Sequence, residues 1–307
     1  MGRVPELPDI TVYCDAIAQR AVGATLDAVR LNSPFLLRTV EPALTVCHGR
    51  IVREVRRLGK RVVLGLDGDL FLVIHLMIAG RLHWRKRGCG FGGKGGLAAF
   101  DLPGGTLLLT EAGTKRRASL HVVAGEAGLS VFDLGGLPPL TATPAEVAVR
   151  LRGERHTLKR SLTDPRLFDG VGGAFADEIL FEARLSPVTW SDGVDDAGVE
   201  RLTAALRTVL ASWVERLRAE RGDGFPEHVT AFRPEMQVHG RFGQPCRACG
   251  DPVQRIVHDD RETNYCCTCQ TGGRLLRDRA MSQLLKSDWP ATLDELMARR
   301  PTPVGGS

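Results

Sequence analysis

Cys246-Arg-Ala-Cys249, a gap of sixteen residues, then Cys266-Cys-Thr-Cys269 decides how the C-terminal part of this chain folds. Two Cys-x-x-Cys pairs at that separation suit two hairpin knuckles that each give two thiolates to one tetrahedral Zn2+. Such a site is closed and structural, with no open position for chemistry. The spacing selects Cys246, Cys249, Cys266 and Cys269 as ligands and leaves Cys267 as a thiol beside the knuckle. Between the knuckles, Arg255, His258 and Arg261 fall on a hairpin whose tip is Asp259-Asp260. A metal-pinned hairpin with a projecting arginine suits a phosphate backbone, and a merely solvated arginine is the competing reading.

Upstream stands Asp169-Gly-Val-Gly-Gly-Ala-Phe-Ala-Asp-Glu-Ile-Leu-Phe181. Its glycines place a tight turn at a helix N-terminus, where backbone N–H groups gather and an anion is welcome. A close helix-helix crossing explains the same glycines equally well. Helical periodicity runs from Thr143 to Leu217, with Pro144 near a helix start. Before it the chain is strand-rich. β-Branched and leucine-rich segments at 26–31, 50–56, 61–66, 70–76, 106–110 and 119–123 are separated by turns such as Asp67-Gly68, which predicts an antiparallel sandwich or barrel. Arg85 to Gly96, with six glycines and four basic residues, reads as a hairpin tip or loop. A first helix covers Asp9 to about Val22, with Asp9 as its cap.

The expected fold class is therefore α+β: an N-terminal antiparallel β-sandwich with flanking helices over 5–140, a helical domain over 141–240, a zinc-ribbon finger over 241–270 and an extension over 271–307. In the extension, Leu275, Leu276, Leu284 and Leu285, then Trp289, Leu293, Leu296 and Met297, suggest two short amphipathic helices, the second opening near Pro290 and both packing on the protein. The last seven residues read as disordered.

The chain has 307 residues, 43% of them hydrophobic, enough for a substantial core. A formal charge of +5 is compatible with a polyanionic partner without establishing one. Arg outnumbers Lys 35 to 6, a skew that fits a GC-rich genome. No run of eighteen apolar residues and no signal-peptide pattern occurs, so a cytoplasmic protein without a membrane partner is expected. In a reducing compartment Cys14, Cys47 and Cys89 read as ordinary thiols.

Pro5-Glu-Leu-Pro-Asp-Ile10 makes chemical sense if Pro5 leads the working protein. A free N-terminal proline is a secondary amine that is less basic than lysine and able to attack an aldehyde carbon. As numbered, Met1-Gly-Arg-Val4 precedes it and the Pro5 nitrogen is an amide. The expectation is that translation begins at Val4 from a GTG codon and that the initiator methionine is then excised.

Taken together, the motifs resemble the formamidopyrimidine-DNA glycosylase and endonuclease VIII family. Pro5-Glu6-Leu7-Pro8 resembles its N-terminal motif, in the formamidopyrimidine form. Leu58-Gly-Lys60-Arg-Val is similar to the loop bearing its catalytic lysine, and His75-Leu-Met-Ile-Ala-Gly80-Arg-Leu to the strand and turn that follow. Gly170 through Phe181 resembles its helix-two-turn-helix, and Gln237-Val-His-Gly-Arg through Cys269 its zinc finger. The resemblance implies a bifunctional enzyme of base-excision repair, a DNA glycosylase with AP lyase activity and one structural Zn2+. It would act as a monomer, nucleoid-associated, on damaged double-stranded DNA carrying oxidised or ring-opened bases. Pro5 would attack C1′ as a Schiff-base nucleophile, Glu6 would shuttle protons, and Lys60 would meet the phosphate flanking the lesion. β,δ-Elimination would follow, and Arg261 would hold the backbone. If residues 1–4 stay in place, the implied alternative is an inactive protein that binds damaged or abasic DNA.

The sequence departs from the family pattern at two further places. Gly173 stands where the family usually has a phosphate-binding Asn, which leaves the backbone amides of Gly172 and Gly173 for that contact. The void left by a flipped base would be filled by Met77 or Ile78. Arg116 or Arg117 would face the orphaned base, and Thr114-Lys-Arg-Arg-Ala-Ser119 lacks the expected Phe wedge.

Overall fold

The computed structural model describes residues 5–112, 115–227, 229, 233–258, 261–277 and 289–298, with only the backbone given for His258 and Arg261. The leader 1–4, the hairpin tip 259–260, Leu284, Leu285 and the last seven residues lie outside them. The chain forms two compact units, one running to Gly136 and taking in Leu210–Ala231, the other comprising Leu137–Val209 and the chain from Phe232.

In the first unit, helix α1 spans Leu7–Ala21 and buries Ile10, Tyr13, Cys14, Ile17 and Ala21, one face at helical spacing. Its cap is Glu6, not the expected Asp9. Pro8 lacks an amide hydrogen and is tolerated only in a helix's first turn, so the helix must begin ahead of it. Asp9 is thereby moved to the third helical position, where its Oδ2 accepts the Glu6 amide at 2.9 Å.

Nine strands follow: β1 Thr25–Leu26, β2 Ala28–Leu31, β3 Arg50–Leu58, β4 Arg61–Leu66, β5 Leu70–His75, β6 Gly80–Arg85, β7 Gly96–Leu102, β8 Gly105–Glu111 and β9 Ser119–Ala124. They build two antiparallel sheets, ordered β1-β3-β4-β5-β9 and β2-β7-β8-β6. Alternate residues such as Val62, Leu64, Leu72 and Ile74 of one sheet and Phe100, Leu107 and Leu109 of the other enter a single core with α1. The outer face of the larger sheet, with Val63, Phe71, Val73 and Val123, is covered by Leu129 and Phe132.

Two sequence expectations are corrected here, and a third is narrowed. Segment 26–31 is two strands, because the chain changes sheet at Asp27: Leu26 pairs with Arg50 and Val29 with Phe100. β6 and β7 were not foreseen; β6 has one aliphatic residue, and Leu97 to Phe100 of β7 are all buried and show no alternation. Of the two readings of the segment between them it is the loop that holds and not the hairpin tip, because both strands pair with β8 and not with each other.

In the second unit, α2 being the short turn Glu126–Leu129 of the first, helices α3 Pro144–Gly153, α4 Leu158–Thr163 and α5 Gly173–Glu182 precede α6, Asp196–Arg221, whose later part belongs to the first unit. Thr143 caps α3 in a reciprocal box with Glu146, with bonds of 2.7 and 3.3 Å. Strands β10 Gln254–His258 and β11 Arg261–Tyr265 form the ribbon hairpin, and α7 Cys267–Thr271 closes it. The extension packs on that hairpin: Leu275, Leu276, Leu293 and Trp289 join Tyr265 and Cys267, and the Leu276 amide donates to the Tyr265 hydroxyl at 2.8 Å. A helix opens at Leu293, shortly after Pro290.

Candidate functional site

Pro5 and Glu6 are both buried at the head of α1, with Glu6 4% and Asp9 5% exposed. Two acidic side chains at one helix N-terminus are favoured by the macrodipole. α1 packs against β3 and β4. Those strands are joined by the two-residue turn Gly59-Lys60, closed by the pair Leu58 and Arg61, with Gly59 at φ +62° where only glycine is unstrained. Arg57 Nη1 donates to the Gly59 carbonyl at 2.6 Å and stiffens the turn.

The next strand brings His75 opposite Arg61. Burial pushes the His75 ring down to about 4, and the cations Arg61 and Lys60 and the ring of His121 push it the same way. His121 is lowered too, by burial and then Arg61; its Nδ1 is buried without a partner, and its ring meets Phe132 edge-on at 4.9 Å. This corner is electropositive, and its histidines are held neutral. Chemically it is suited to an anion, which would relieve the repulsion.

β5 and β6 are linked by a turn with Met77 at φ +53°. The Gly80 amide donates to Leu76 O at 2.9 Å, and a Cβ on Gly80 would lie 2.2 Å from that oxygen. Met77 is half-buried, and it is Ile78, 40% exposed, that stands at the tip. Of the two wedge candidates, the structure thus presents Ile78 outward. Arg116 and Arg117 are exposed. The base of their loop is held by Glu111, 2% exposed, whose carboxylate accepts the Arg117 amide at 2.9 and 3.0 Å and the Ala118 amide at 3.0 Å. The Arg116 guanidinium bonds the Lys94 carbonyl of the glycine-rich loop.

In the second unit Gly170 takes φ +76° and Gly172 caps α5 in extended geometry. A Cβ on Gly173 would meet no atom within 4 Å, so the close-crossing explanation fails at this residue. Beneath the turn lies a charge network that sequence reasoning missed. Lys159 Nζ donates to Gly173 O at 2.5 Å and to the Asp177 carboxylate. Asp177 also accepts from His239 Nδ1 at 2.7 Å, with both side chains fully buried. Burial alone would raise the Asp177 carboxyl; Lys159 and His239 overcome it and hold it low. Glu178 accepts the amides of Gln237, Val238 and His239 at 2.7 to 2.9 Å, tying the approach to the ribbon onto α5. The available signal was a pair of adjacent acids, Asp177-Glu178, inside an otherwise apolar helix.

The Sγ atoms of Cys246, Cys249, Cys266 and Cys269 all lie within 4.8 Å of one another, with Cys246 to Cys269 at 3.9 Å and Cys249 to Cys266 at 3.4 Å. A tetrahedral Zn2+ with bonds of about 2.3 Å has edges of about 3.8 Å, so the four thiolates fit one structural zinc. Cys267 turns away into the cluster around Tyr265, and burial pushes its thiol up to about 11. Arg255 lies 4.2 Å over the Phe242 ring and 3.7 Å from Glu262, so it does not project freely. Arg261 opens β11 opposite His258, and its side chain lies outside the description.

A β-sandwich with a capped proline helix, a glycine turn opening a helix and a four-thiolate ribbon define a zinc-ribbon protein of the class that grips nucleic acid. Three family models match in succession: the formamidopyrimidine-DNA glycosylase N-terminal domain over 4–127, its H2TH domain over 138–220, and the zinc finger found in FPG and IleRS over 243–272. The formamidopyrimidine-DNA glycosylase of Heliobacterium modesticaldum is 33% identical over 281 residues, covering 87% of this chain and 100% of that one. That of Acidovorax sp. is 35% identical over 280 residues, covering 87% and 99%. The crystal structure of the MutM (FPG) protein from Thermus thermophilus superposes with TM-score 0.72 at 32% identity, covering 87% of this chain and 98% of that one. Lactococcus lactis Fpg, in complex with abasic-site DNA, shares the fold at TM-score 0.77 and 20% identity, covering 87% and 99%. The chain belongs to the formamidopyrimidine-DNA glycosylase family. Among the described residues no helix is long and apolar enough to cross a membrane.

Proposed function

We propose that Pro5, Glu6 and Lys60 carry the chemistry of this base-excision DNA glycosylase and AP lyase. The observation that supports the assignment best is that Pro5 is buried at the head of α1 beside the buried Glu6 carboxyl. With its amine free, Pro5 N attacks C1′ of the damaged nucleotide, the glycosidic bond breaks, and its electron pair leaves with the base. Glu6 donates a proton as the sugar ring opens to the C1′ iminium. Loss of a C2′ proton then expels the 3′ phosphate, and a second elimination expels the 5′ phosphate. Water hydrolyses the iminium and returns the proline. Lys60, with Arg61 and His75 beside it, receives the phosphate flanking the lesion.

The substrate is damaged duplex DNA with an oxidised or ring-opened base everted from the stack. Ile78 takes the space it leaves, in place of Met77, and Arg116 or Arg117 faces the orphaned partner. The amides of Gly172 and Gly173 hold phosphate, and Arg261 grips the backbone. The protein acts as a monomer on the chromosome in the bacterial cytoplasm, with catalysis assigned to the 5–140 region and grip to 141–240 and 241–270.

Borohydride trapping on an abasic duplex tests the nucleophile. A chain beginning at Pro5 is expected to form a covalent adduct, and one carrying residues 1–4 is expected to form none. Equal trapping by both, or none by either, overturns the assignment. Salt-dependent binding without any adduct would mark a damage-binding protein instead.

A further inference from the structure

We propose that Arg81 is a positioning residue that couples the turn at 76–79 to the segment following α6, residues 223–227 and Val229. The inference rests on the reading that this turn enters the duplex.

β6 lies at the end of its sheet, paired only with β8 among the described residues. Leu82, 0% exposed, points to the core, and Arg81, His83 and Arg85 alternate on the opposite face. Charges on an edge strand usually guard it against further pairing. Here all three are engaged, and all by one segment. Arg81 Nε donates to Val229 O at 2.7 Å, and its Nη1 to Gly80 O at 2.7 Å and Ile78 O at 3.2 Å. His83 Nδ1 meets Glu227 at 2.7 Å while its Nε2 meets Thr110 Oγ1 at 3.0 Å. Arg85 grips the same carboxylate with both Nη atoms, at 2.7 and 2.9 Å.

The segment is anchored at its other end as well. Arg20 donates to the carbonyls of Asp223 and Gly224 at 2.7 and 2.9 Å. Phe225 packs between Tyr13 and Trp84, with ring centroids at 5.8 and 6.4 Å, and Val229 is buried in the main core. So the segment is a fixed reference, and Arg81 ties the turn to it. The turn needs such a tie, because Met77 holds a left-handed backbone that a non-glycine residue keeps only where its surroundings enforce it. One planar guanidinium reaching three carbonyls is a geometry that lysine cannot reproduce.

The test uses the full chain and a duplex carrying a stable tetrahydrofuran abasic site flanked by 2-aminopurine, whose fluorescence rises when a side chain unstacks it. Ile78→Ala is expected to lose most of the rise. Arg81→Met is expected to lose as much, without rescue by Arg81→Lys, at unchanged thermal midpoint and unchanged salt slope of binding. Glu227→Gln, which leaves the turn's own bonds intact, is expected to lose part of it. In a chain beginning at Pro5, Arg81→Met should slow single-turnover excision roughly tenfold or more. A wild-type signal in Arg81→Met alongside a lost signal in Ile78→Ala overturns the coupling. A wild-type signal in both overturns the insertion reading and the coupling with it. Early melting that accounts for the loss in Arg81→Met, with Glu227→Gln silent, reduces Arg81 to a structural residue and overturns the proposal.

Discussion

The two units handle buried charge in opposite ways. Under α5, Asp177 is matched by Lys159 and His239, and Glu178 by three backbone amides. Beside the Gly59-Lys60 turn, burial first, and then the cations Arg61 and Lys60, hold His75 neutral. A matched cluster is finished architecture, because every charge has its counter-charge or donor within the fold. A corner whose nearest cations, Arg61 and Lys60, disfavour a charged His75 is chemically suited to an anion. That difference separates residues that hold the ribbon's approach in place from residues proposed to meet phosphate, and it can be broken in both places.

The largest effect is expected on the matched side. Asp177→Asn leaves the buried His239 and the half-buried Lys159 without their carboxylate, and should cost about 3–5 kcal/mol in urea unfolding. The sign of its pH dependence follows from the depressed carboxyl. Its folded pKa lies below the unfolded value of about 3.9, so its contribution is complete above that pH and is lost as pH falls through the folded value. Acid unfolding below about pH 4 should therefore be less steep in Asp177→Asn than in the parent chain. An unaltered stability in the variant would show that the network is not what fixes α5 to the Gln237-Val238-His239 approach.

These two regions also mark what the sequence could disclose. The cysteine spacing identified the four thiolates, because metal geometry imposes spacing directly, and Cys267 was set aside correctly for the same reason. Pro5, Glu6 and Lys60 are legible as motif residues, but the cap of α1 lies three positions ahead of Asp9 because Pro8 has to sit in the first turn. β6 escaped notice because its polar residues reach partners more than 140 positions away, at Glu227 and Val229, and no local pattern encodes that. Asp177-Glu178 leaves a local trace as adjacent acids in an apolar helix, but its partners Lys159 and His239 leave none, because residues apart in sequence meet only when the elements pack.

On the unbalanced side, the expected effect is intermediate and depends on pH. His75 has a folded value of about 4, below the unfolded value of about 6.5, so its contribution to stability is complete above 6.5 and erodes as pH falls. A phosphate beside Lys60 and Arg61 would raise the ring again, so binding takes up a proton. Affinity for abasic duplex at fixed salt should then rise between pH 7 and pH 5, by at most about tenfold per unit. His75→Gln should flatten that slope. A parent chain with no pH dependence in this window would remove His75 from the phosphate corner.

The smallest effect sits at the α5 turn, where the comparison can be sharpened by adding a donor. A side chain at Gly173 has open space, since its Cβ would meet nothing within 4 Å, and the residue has helical geometry at the first position of α5. Gly173→Asn therefore adds an amide donor beside the backbone N–H groups without displacing any neighbour, and replacing glycine inside the helix also favours folding slightly. One more hydrogen bond to a phosphate is worth about 1 kcal/mol, or roughly fivefold in affinity. Tighter binding of intact and abasic duplex alike would place a phosphate at this turn and assign it to grip, not to lesion choice. Unchanged affinity would mean that no phosphate reaches Gly173, and the amides of Gly172 and Gly173 would then serve only to start the helix.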